Sequence, residues 1–497
     1  MNSNAATLSE ISQYLDAQLF GNPEIEVSDV THDSRQAGRG SLFVAIQGLT
    51  VDGHRFVDDV MRRGAVGVIS ELETPGDFPG VWLRVKNARK AQAQAAAIIN
   101  RHPSKHLKLV GITGTNGKTT TTYLVFALAE ANSDKAAMLT TVEYRIGQES
   151  EPAVRTTPES SDTQRFLSRA VDAGCQMAVM ETSSQAIDLN RCDELNFQVA
   201  VFTNLTRDHL DYHLTMENYF DAKKALFDGR LGNPPVSSVI NIDDTWGVKL
   251  ASELKSKGQR IVTFSQKTEA ELMAENIQVS LIKGTSFDLK TARGIRQITS
   301  PLVGKPHVYN MLSAIGVALE LGYDPGRIAE GLKSCIGAPG RFERVPHDGD
   351  FAVVVDYAHS DDALLNVLKT ARDLTNGRII TVFGCGGDRD KTKRAPMGEV
   401  AGRHSDLVIL TSDNPRTEDP LQIIRQIENG IKQTNCPYQI ISDRREAIHQ
   451  AISKARTNDV VLIAGKGHET YQIIGNDKFH FDDREIAREA LEQLGEV

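Results

Sequence analysis

The run Val110-Gly111-Ile112-Thr113-Gly114-Thr115-Asn116-Gly117-Lys118-Thr119-Thr120-Thr121-Thr122 sets three glycines ahead of a lysine and a row of hydroxyls. Glycines let backbone N–H groups converge on an anion, and a following helix N-terminus adds partial positive charge. In such a loop Lys118 reaches outer phosphates and the Thr119 hydroxyl can ligate Mg²⁺. The flanks fit: His106–Val110 reads as a short buried strand, and Tyr123–Ala131 has the length and apolar content of a helix. Strand, glycine-rich turn and Gly-Lys-Thr opening a helix is the context a phosphate-binding loop requires. Gly111 stands one residue farther from Gly117 than the usual spacing, so the loop is a variant of the ATP-binding type.

Other polar clusters follow predicted strands. They are Glu181-Thr182-Ser183-Ser184, Thr203-Asn204 through Asp208-His209 to Asp211-Tyr212-His213, and Asp356-Tyr357-Ala358-His359. Gly384 to Asp388-Arg389-Asp390, Thr411 to Asp413-Asn414-Pro415-Arg416, and Gly465-Lys466-Gly467-His468-Glu469 complete the set. Ligands gather at the carboxyl ends of strands in open α/β sheets. Six such clusters on two sheets point to a site between two domains.

The elements that must carry these residues alternate. After an N-terminal helical stripe at Leu8, Ile11 and Leu15, strand-like runs at Val27–Arg35, Ser41–Ile46, Ala65–Ile69 and Val81–Val85 make a small α/β unit. A helix is expected over 56–64, and Asn87–His102 leads into the next domain. Strands are then predicted at Ala136–Thr141, Met177–Glu181, Phe197–Thr203, Ser238–Ile242 and Ile261–Phe264, with shorter ones at Ile277–Ile282 and Ser286–Leu289. Pro339-Gly340-Arg341-Phe342 is a sharp break. A third unit follows, with strands at Phe351–Asp356, Ile379–Phe383, Leu407–Leu410, Tyr438–Ile441 and Val460–Ala464. Such alternation argues for mainly parallel sheets covered on both faces. The expected architecture is α/β in three domains: a small α/β domain (1–88), a central phosphate-loop domain (89–339) and a Rossmann-like C-terminal domain (340–497).

Bulk properties narrow the class. The 497 residues exceed one core and suggest about three domains at ~150 residues each. A net charge of −9 argues against non-specific nucleic-acid binding, which needs a basic surface. Five scattered cysteines without C-x-x-C spacing indicate a reducing compartment, with no disulfide framework or zinc site. No basic n-region with an apolar core opens the chain, and no stretch approaches the ~20 apolar residues of a membrane helix. The expectation is a cytoplasmic, monomeric protein that engages neither nucleic acid nor membrane.

Taken together, Gly114 to Thr120, Asn204-Leu205-Thr206-Arg207-Asp208-His209-Leu210-Asp211, Asn310 with Ala314, Gly340-Arg341-Phe342-Glu343, Asp356 to His359 and Gly384 to Asp390 resemble, in order, the motifs of the Mur ligases of peptidoglycan synthesis. The resemblance covers all three domains. Asp33-Ser34-Arg35, Gly40 to Phe43 and Asp52-Gly53-His54 are similar to that family's UDP-binding domain. Alone, Asp33-Ser34-Arg35 reads as a capped turn with a solvated arginine; the resemblance overturns that reading for Ser34. Asp413 to Arg416 with Gly465 to Glu469 resembles the members that add meso-diaminopimelate to UDP-N-acetylmuramoyl-L-Ala-D-Glu.

The resemblance implies an ATP-dependent amide ligase in which ATP phosphorylates a substrate carboxylate and an amine then attacks the acyl phosphate. Phosphoryl transfer is mainly positioning and charge neutralisation. By the same resemblance, Gly114, Thr115, Asn116, Gly117, Lys118, Thr119, Thr120, Asn310, Arg341 and Asp356 contact ATP. Thr119, Glu181 and His209 coordinate Mg²⁺. The family's carbamylated lysine falls on Lys223, with Lys224 as the alternative if the register slips by one. Ser34, Thr156, Thr157, Ser184 and Arg191 match contacts to the UDP-MurNAc-dipeptide. Arg389, Asp413, Asn414, Pro415, Arg416, Gly465 and Glu469 match the amino-acid pocket. There Arg416 would clamp the distal carboxylate of diaminopimelate and Glu469 would pair with its distal ammonium.

The sequence departs from the family pattern at Gln185 and Leu189, where His and Gln are usual, at Ser360-Asp361, and at Pro396, shifted by one residue. The first two bear on contacts to the dipeptide. Folylpolyglutamate synthase, which shares the ligase core without the UDP-type domain, is the nearest rival; a non-catalytic nucleotide-binding regulator is another.

Overall fold

The structure, a computed structural model, describes residues 5–48, 51–281 and 283–495. Ile282, expected to close a short strand, lies outside these residues, as do Met1–Asn4. The chain divides into two compact units. One comprises Met1–Glu275, Leu289–Arg296 and Tyr309–Leu332; the other comprises Asn276–Asp288, Gln297–Val308 and Lys333–Val497.

The first unit opens with a five-stranded sheet in the order Gln18–Phe20, Val81–Arg84, Gly67–Ser70, Ser41–Val44, Asp29–Thr31, parallel except at its first pair. The two middle strands Gly67–Ser70 and Ser41–Val44 are buried throughout, as a parallel sheet covered on both faces requires. Helix Ala88–Ile99, N-capped by the Asn87 side chain, turns Ala88, Ala91, Ala95, Ala96 and Ile99 into this sheet's core. The residues just past position 88 thus pack with the small sheet, because their alanine face lets helix and strands approach closely.

Strand Lys108–Thr113 lies at the centre of the large sheet, parallel to Met177–Glu181 on one side and Phe197–Phe202 on the other. Beyond Phe197–Phe202 follow Ser237–Asn241, Arg260–Ser265 and Leu272–Ser280, also parallel. Beyond Met177–Glu181 come Ala136–Leu139 and two antiparallel edge strands, Glu143–Ile146 and Glu149–Pro152, which alternation did not reveal because they are polar and largely exposed. Register matters here: Glu181 pairs with Ile112 and Phe202 with Thr113, so three strands end side by side at the glycine-rich loop. Helix Lys118–Ala131 begins there. Its N-cap, Gly117, has φ 89° and no side-chain acceptor, so the first-turn N–H groups are not claimed by a cap.

The second unit holds a six-stranded sheet in the order Glu343–Val345, Ala352–Asp356, Val460–Ala464, Ile379–Phe383, Leu407–Leu410, Tyr438–Ile440, parallel except at the first pair. Asp356 and Phe383 both pair with Ala464, and Phe383 pairs with Leu410. Tyr357, Gly384, Thr411 and Gly465 therefore leave the sheet together. A hairpin, Tyr471–Ile474 with Asp477–His480, was not anticipated. Its signal is Gly475-Asn476 between two β-type runs.

Candidate functional site

In the first unit the glycine-rich loop is braced by the segment after Phe202. Thr115 N donates to Asn204 O (2.9 Å) and Asn116 N to Asn204 Oδ1 (2.9 Å), while Thr203 Oγ1 donates to Asn116 O (2.7 Å). A Cβ on Gly114 would meet Thr203 Oγ1 at 1.9 Å, so only glycine fits. Thr119 and Thr120 are buried at the start of the helix. Asn310 lies against this loop: a Cβ on Gly117 would come within 2.4 Å of Asn310 Oδ1, and Thr121 Oγ1 is 3.5 Å from the same oxygen.

Two lysines converge on one carbonyl. Lys118 Nζ donates to Gly114 O (3.0 Å) and Thr115 O (2.9 Å), and Lys223 Nζ donates to Gly114 O (2.9 Å). Lys223 is 1% exposed, on helix Met216–Lys224, with its ammonium 4.6 Å from the Tyr219 ring centroid. Burial, with the charge of Lys118 beside it, holds the Lys223 amine well below the ordinary lysine range. Lys224 is instead paired with Glu253 at 2.7 Å. Of the two lysines, Lys223 turns inward and Lys224 turns to an ion pair.

Glu181 is buried, with its carboxylate receiving Thr141 N (2.8 Å) and Thr141 Oγ1 (3.2 Å). Thr141 Oγ1 also approaches Thr156 Oγ1 (3.1 Å), and Thr157 Oγ1 donates to Glu181 O (2.8 Å). His209 has φ 51° and lies 6.1 Å, ring to ring, from Tyr219. Burial lowers its pKa, Lys118 and Lys223 add to this, and Asp208 opposes it. Tyr219 is a residue that the motifs did not supply. It touches Lys223 and stacks on His213, and its hydroxyl lies 3.2 Å from Thr115 Oγ1. Thr141 was likewise missed.

The residues assigned to the dipeptide fall in two places. Ser184 Oγ bonds His213 Nε2 (2.9 Å), and Arg191 pairs with Glu159 (2.8 Å) and donates to Thr157 O (3.3 Å). Ser34 accepts at its carbonyl from Arg63, while the neighbouring Arg35 makes a two-pronged contact to Asp33.

The second unit gathers the rest. Asp356 is buried and accepts from Phe342 N (2.7 Å) and Ala358 N (2.8 Å). Burial raises its pKa, opposed by Arg341 and the two amides. The Arg341 guanidinium lies 4.7 Å from the Tyr357 ring centroid. Around Gly465 (φ 117°), the Asp413-Asn414-Pro415-Arg416 loop meets Glu469. Asn414 Nδ2 donates to Glu469 Oε2 (2.8 Å), and Asn414 Oδ1 accepts from Ile473 N (3.0 Å). Arg416 NH1 donates to Gly387 O (2.8 Å), and Pro415 O packs on Gly387. Arg389 is exposed, its Cγ 3.8 Å from the Cβ position of Gly386. Burial and the charge of Asp413 raise the pKa of Glu469; Lys466, Asn414 and Arg416 oppose them. Lys466, fully buried in the middle of this pocket, was not among the predicted residues.

No three or more His, Cys, Asp and Glu side chains among the described residues form a metal-sized cluster. Thr119, Glu181 and His209 offer a hydroxyl, a carboxylate and an imidazole, a sparse set for Mg²⁺ that a further anionic oxygen would strengthen. No helix among the described residues is long and apolar enough to cross a membrane.

A phosphate-type loop on a parallel sheet, followed by a separate α/β unit with a charged cluster at its strand ends, fits a nucleotide-using enzyme, and comparison with known proteins places it among ligases. Sequence profiles agree. The Mur ligase middle domain matches residues 112–318, the Mur ligase glutamate ligase domain 340–467, and the Mur ligase family catalytic domain 26–96. The chain belongs to the Mur ligase family. It is 47% identical to a UDP-N-acetylmuramoyl-L-alanyl-D-glutamate–2,6-diaminopimelate ligase of Solibacter usitatus over 95% of both chains. It is 43% identical to the Bacillus velezensis protein of the same name, over 98% of this chain and 99% of that one. A solved structure of a ligase of that name matches with a TM-score of 0.73 and 31% identity, covering 99% of this chain and 100% of that one. A Mycobacterium tuberculosis folylpolyglutamate synthase shares the fold over only 76% of this chain and 92% of its own, at 19% identity and TM-score 0.60.

Proposed function

We propose that this enzyme joins meso-2,6-diaminopimelate to UDP-N-acetylmuramoyl-L-alanyl-D-glutamate in the cytoplasm, with ATP cleaved to ADP and phosphate. The observation that carries the choice of amine is the pocket of the second unit. There Arg416 offers a fork for a carboxylate, and Glu469 offers a carboxylate for an ammonium. Diaminopimelate carries both groups at its far end; lysine carries only the ammonium.

In the first unit, the glycine-rich loop would hold the phosphates of ATP with its backbone N–H groups, with Lys118 turned outward from Gly114 O to the terminal phosphate. Asn310 would add a nucleotide contact in this unit, and Ser34, Thr156, Thr157, Ser184 and Arg191 would hold the UDP-MurNAc-dipeptide; in the second unit, Arg341 and Asp356 are the residues proposed to contact nucleotide. Thr119, Glu181 and His209 would hold Mg²⁺, which when bound neutralises phosphate charge. Lys223 would supply the missing oxygens as a carbamate: its neutral amine adds to carbon dioxide, forming an N–C bond and releasing a proton. The burial of Lys223 and its closeness to Lys118 support that chemistry, since both favour the uncharged amine.

The test is ADP release with the UDP-MurNAc-dipeptide and a panel of amino acids. Turnover with meso-diaminopimelate far above that with L-lysine, D-alanine or L-glutamate is expected. Preference for glutamate with a folate acceptor, or ATP binding without amine-dependent phosphate release, would overturn the reading.

A further inference from the structure

Lys466 is sealed inside the amine pocket, with none of its side chain exposed. Its ammonium donates to Asn414 Oδ1 (3.0 Å) and Tyr471 O (2.6 Å). It also lies 3.2 Å from Asp413 Oδ1, off the hydrogen-bond axis, and 3.8 Å from Glu469 Oε2. One group therefore touches the loop at 413–414, the loop at 469 and the hairpin strand Tyr471–Ile474.

We propose that Lys466 is a positioning residue for the amine substrate, orienting the Asn414 amide and countering Asp413 so that Glu469 stays ionised and aimed at the incoming ammonium. This rests on the diaminopimelate reading above.

The orientation argument is one of donors and acceptors. Asn414 Oδ1 receives two donors, Lys466 Nζ and Ile473 N, so the other end of the amide must be the NH₂ group, and that end meets Glu469 Oε2. Glu469 Oε1 has no hydrogen-bond partner among the described residues and is left for a ligand. The charge argument is independent. Glu469 shares the pocket with Asp413, and burial together with the Asp413 charge raises the affinity of Glu469 for a proton. Tyr357 and Tyr471, neutral near pH 7, and Arg416 also face Glu469. The buried Arg444 guanidinium also feels both carboxylates but is paired with Asp483, and among the described residues Lys466 is the cation within 4 Å of both. Because it is fully buried, Lys466 acts through Glu469 and Asn414 and does not touch substrate.

The experiment uses the full-length enzyme with Lys466→Met and steady-state ADP release at varied diaminopimelate. KM for diaminopimelate should rise about 10- to 100-fold, the range for a residue that orients a ligand-contacting group. KM for ATP and for the UDP-MurNAc-dipeptide should stay within about twofold. The loss should shrink as pH rises from 6.5 to 9, because Glu469, no longer countered, takes up a proton at the acid end. A brace of purely structural effect predicts either equal rises in all three KM values or a pH-independent loss. Either result would overturn the proposal. Lys466→Gln, which can still bond Asn414 but carries no charge, should keep the pH-dependent part of the defect. Failure of both variants to fold would also decide for a structural brace. Diaminopimelate turnover by the unmutated enzyme is the control: its absence would overturn the substrate assignment and leave nothing for Lys466 to position.

Discussion

Replacing Arg416 by alanine should separate amine recognition from everything else the enzyme does. Arg416 has φ 50°, and its backbone is tied at both ends to the hairpin: its N–H donates to Ile473 O (3.1 Å), and its carbonyl accepts from Gly475 N (2.8 Å). Alanine would sit in the same left-handed conformation at a similar cost, so backbone strain does not enter the comparison. One arm of the guanidinium is already fixed on Gly387 O, which leaves the remaining N–H groups oriented before a ligand arrives. Loss of a charge-assisted bidentate contact costs about 2–5 kcal/mol. At 1.4 kcal/mol per decade, KM for diaminopimelate should then rise from about 30-fold to several thousandfold. Arg416→Lys keeps the charge without the fork and should fall between, near tenfold. The assay is ADP release at saturating ATP and UDP-MurNAc-dipeptide, with thermal unfolding as a check on structure. L-lysine, lacking the second carboxylate, should be a poor substrate of the unmutated enzyme, and Arg416→Ala should narrow the gap. A KM for diaminopimelate within threefold of the original, or comparable kcat/KM for lysine in the unmutated enzyme, would refute the reasoning.

Lys223→Ala should keep ATP binding and lose about 10²-fold or more in turnover, with partial rescue by a small carboxylic acid; Lys223→Arg should stay inactive. An active arginine variant would exclude the carbamate. Because burial depresses the folded-state pKa of Lys223, the unfolded chain holds more protons between that value and about 10.5, so this lysine costs stability that returns as pH rises. Lys223→Met should therefore melt higher than the unmutated protein at pH 7, with the gap closing toward pH 10 in calorimetry. His209, whose pKa burial holds below the ordinary histidine range, should remain neutral and functional through neutral pH; His209→Ala should lower kcat about tenfold or more and remove the acid limb of the rate profile. Gly117→Ala combines φ 89° with a contact of 2.4 Å to Asn310 Oδ1 and should raise KM for ATP about tenfold or more, with Asn310→Ala relieving only part of the defect.

The sequence was most legible where a residue type leaves one option. The fully buried strands Ile379–Phe383 and Val460–Ala464 read correctly from runs of β-branched residues; the glycine-rich turn was found between a strand and a helix as expected, but the strand runs on to Thr113 and the helix already begins at Lys118. The hairpin at Tyr471–His480 escaped because its strands are short and half exposed, so burial left little alternation to see. Tyr219 escaped, and Lys466 was named within its motif but given no role, for another reason. Their importance lies in contacts made across the fold, with the 413–414 loop and with Thr115, and such contacts have no signature in local spacing. Asn310 was picked out by motif, yet its position against Gly117 followed only from the helix Lys305–Glu320 being seen in place.

The hairpin tied to Arg416 carries a lesson for transplanting specificity. The four residues from Asp413 to Arg416 look like a portable cassette, but their shape is imposed from outside: Gln472 Nε2 donates to Asp413 O (2.7 Å), Ile473 N to Asn414 Oδ1, and Gly475 N to Arg416 O. Grafting the tetrapeptide alone into a ligase with a different hairpin would move the letters without the mould. On the proposed reading of Arg416 and Glu469, the unit of amine choice is two discontinuous segments, 413–416 and 465–475, which would have to vary together for a new preference to arise.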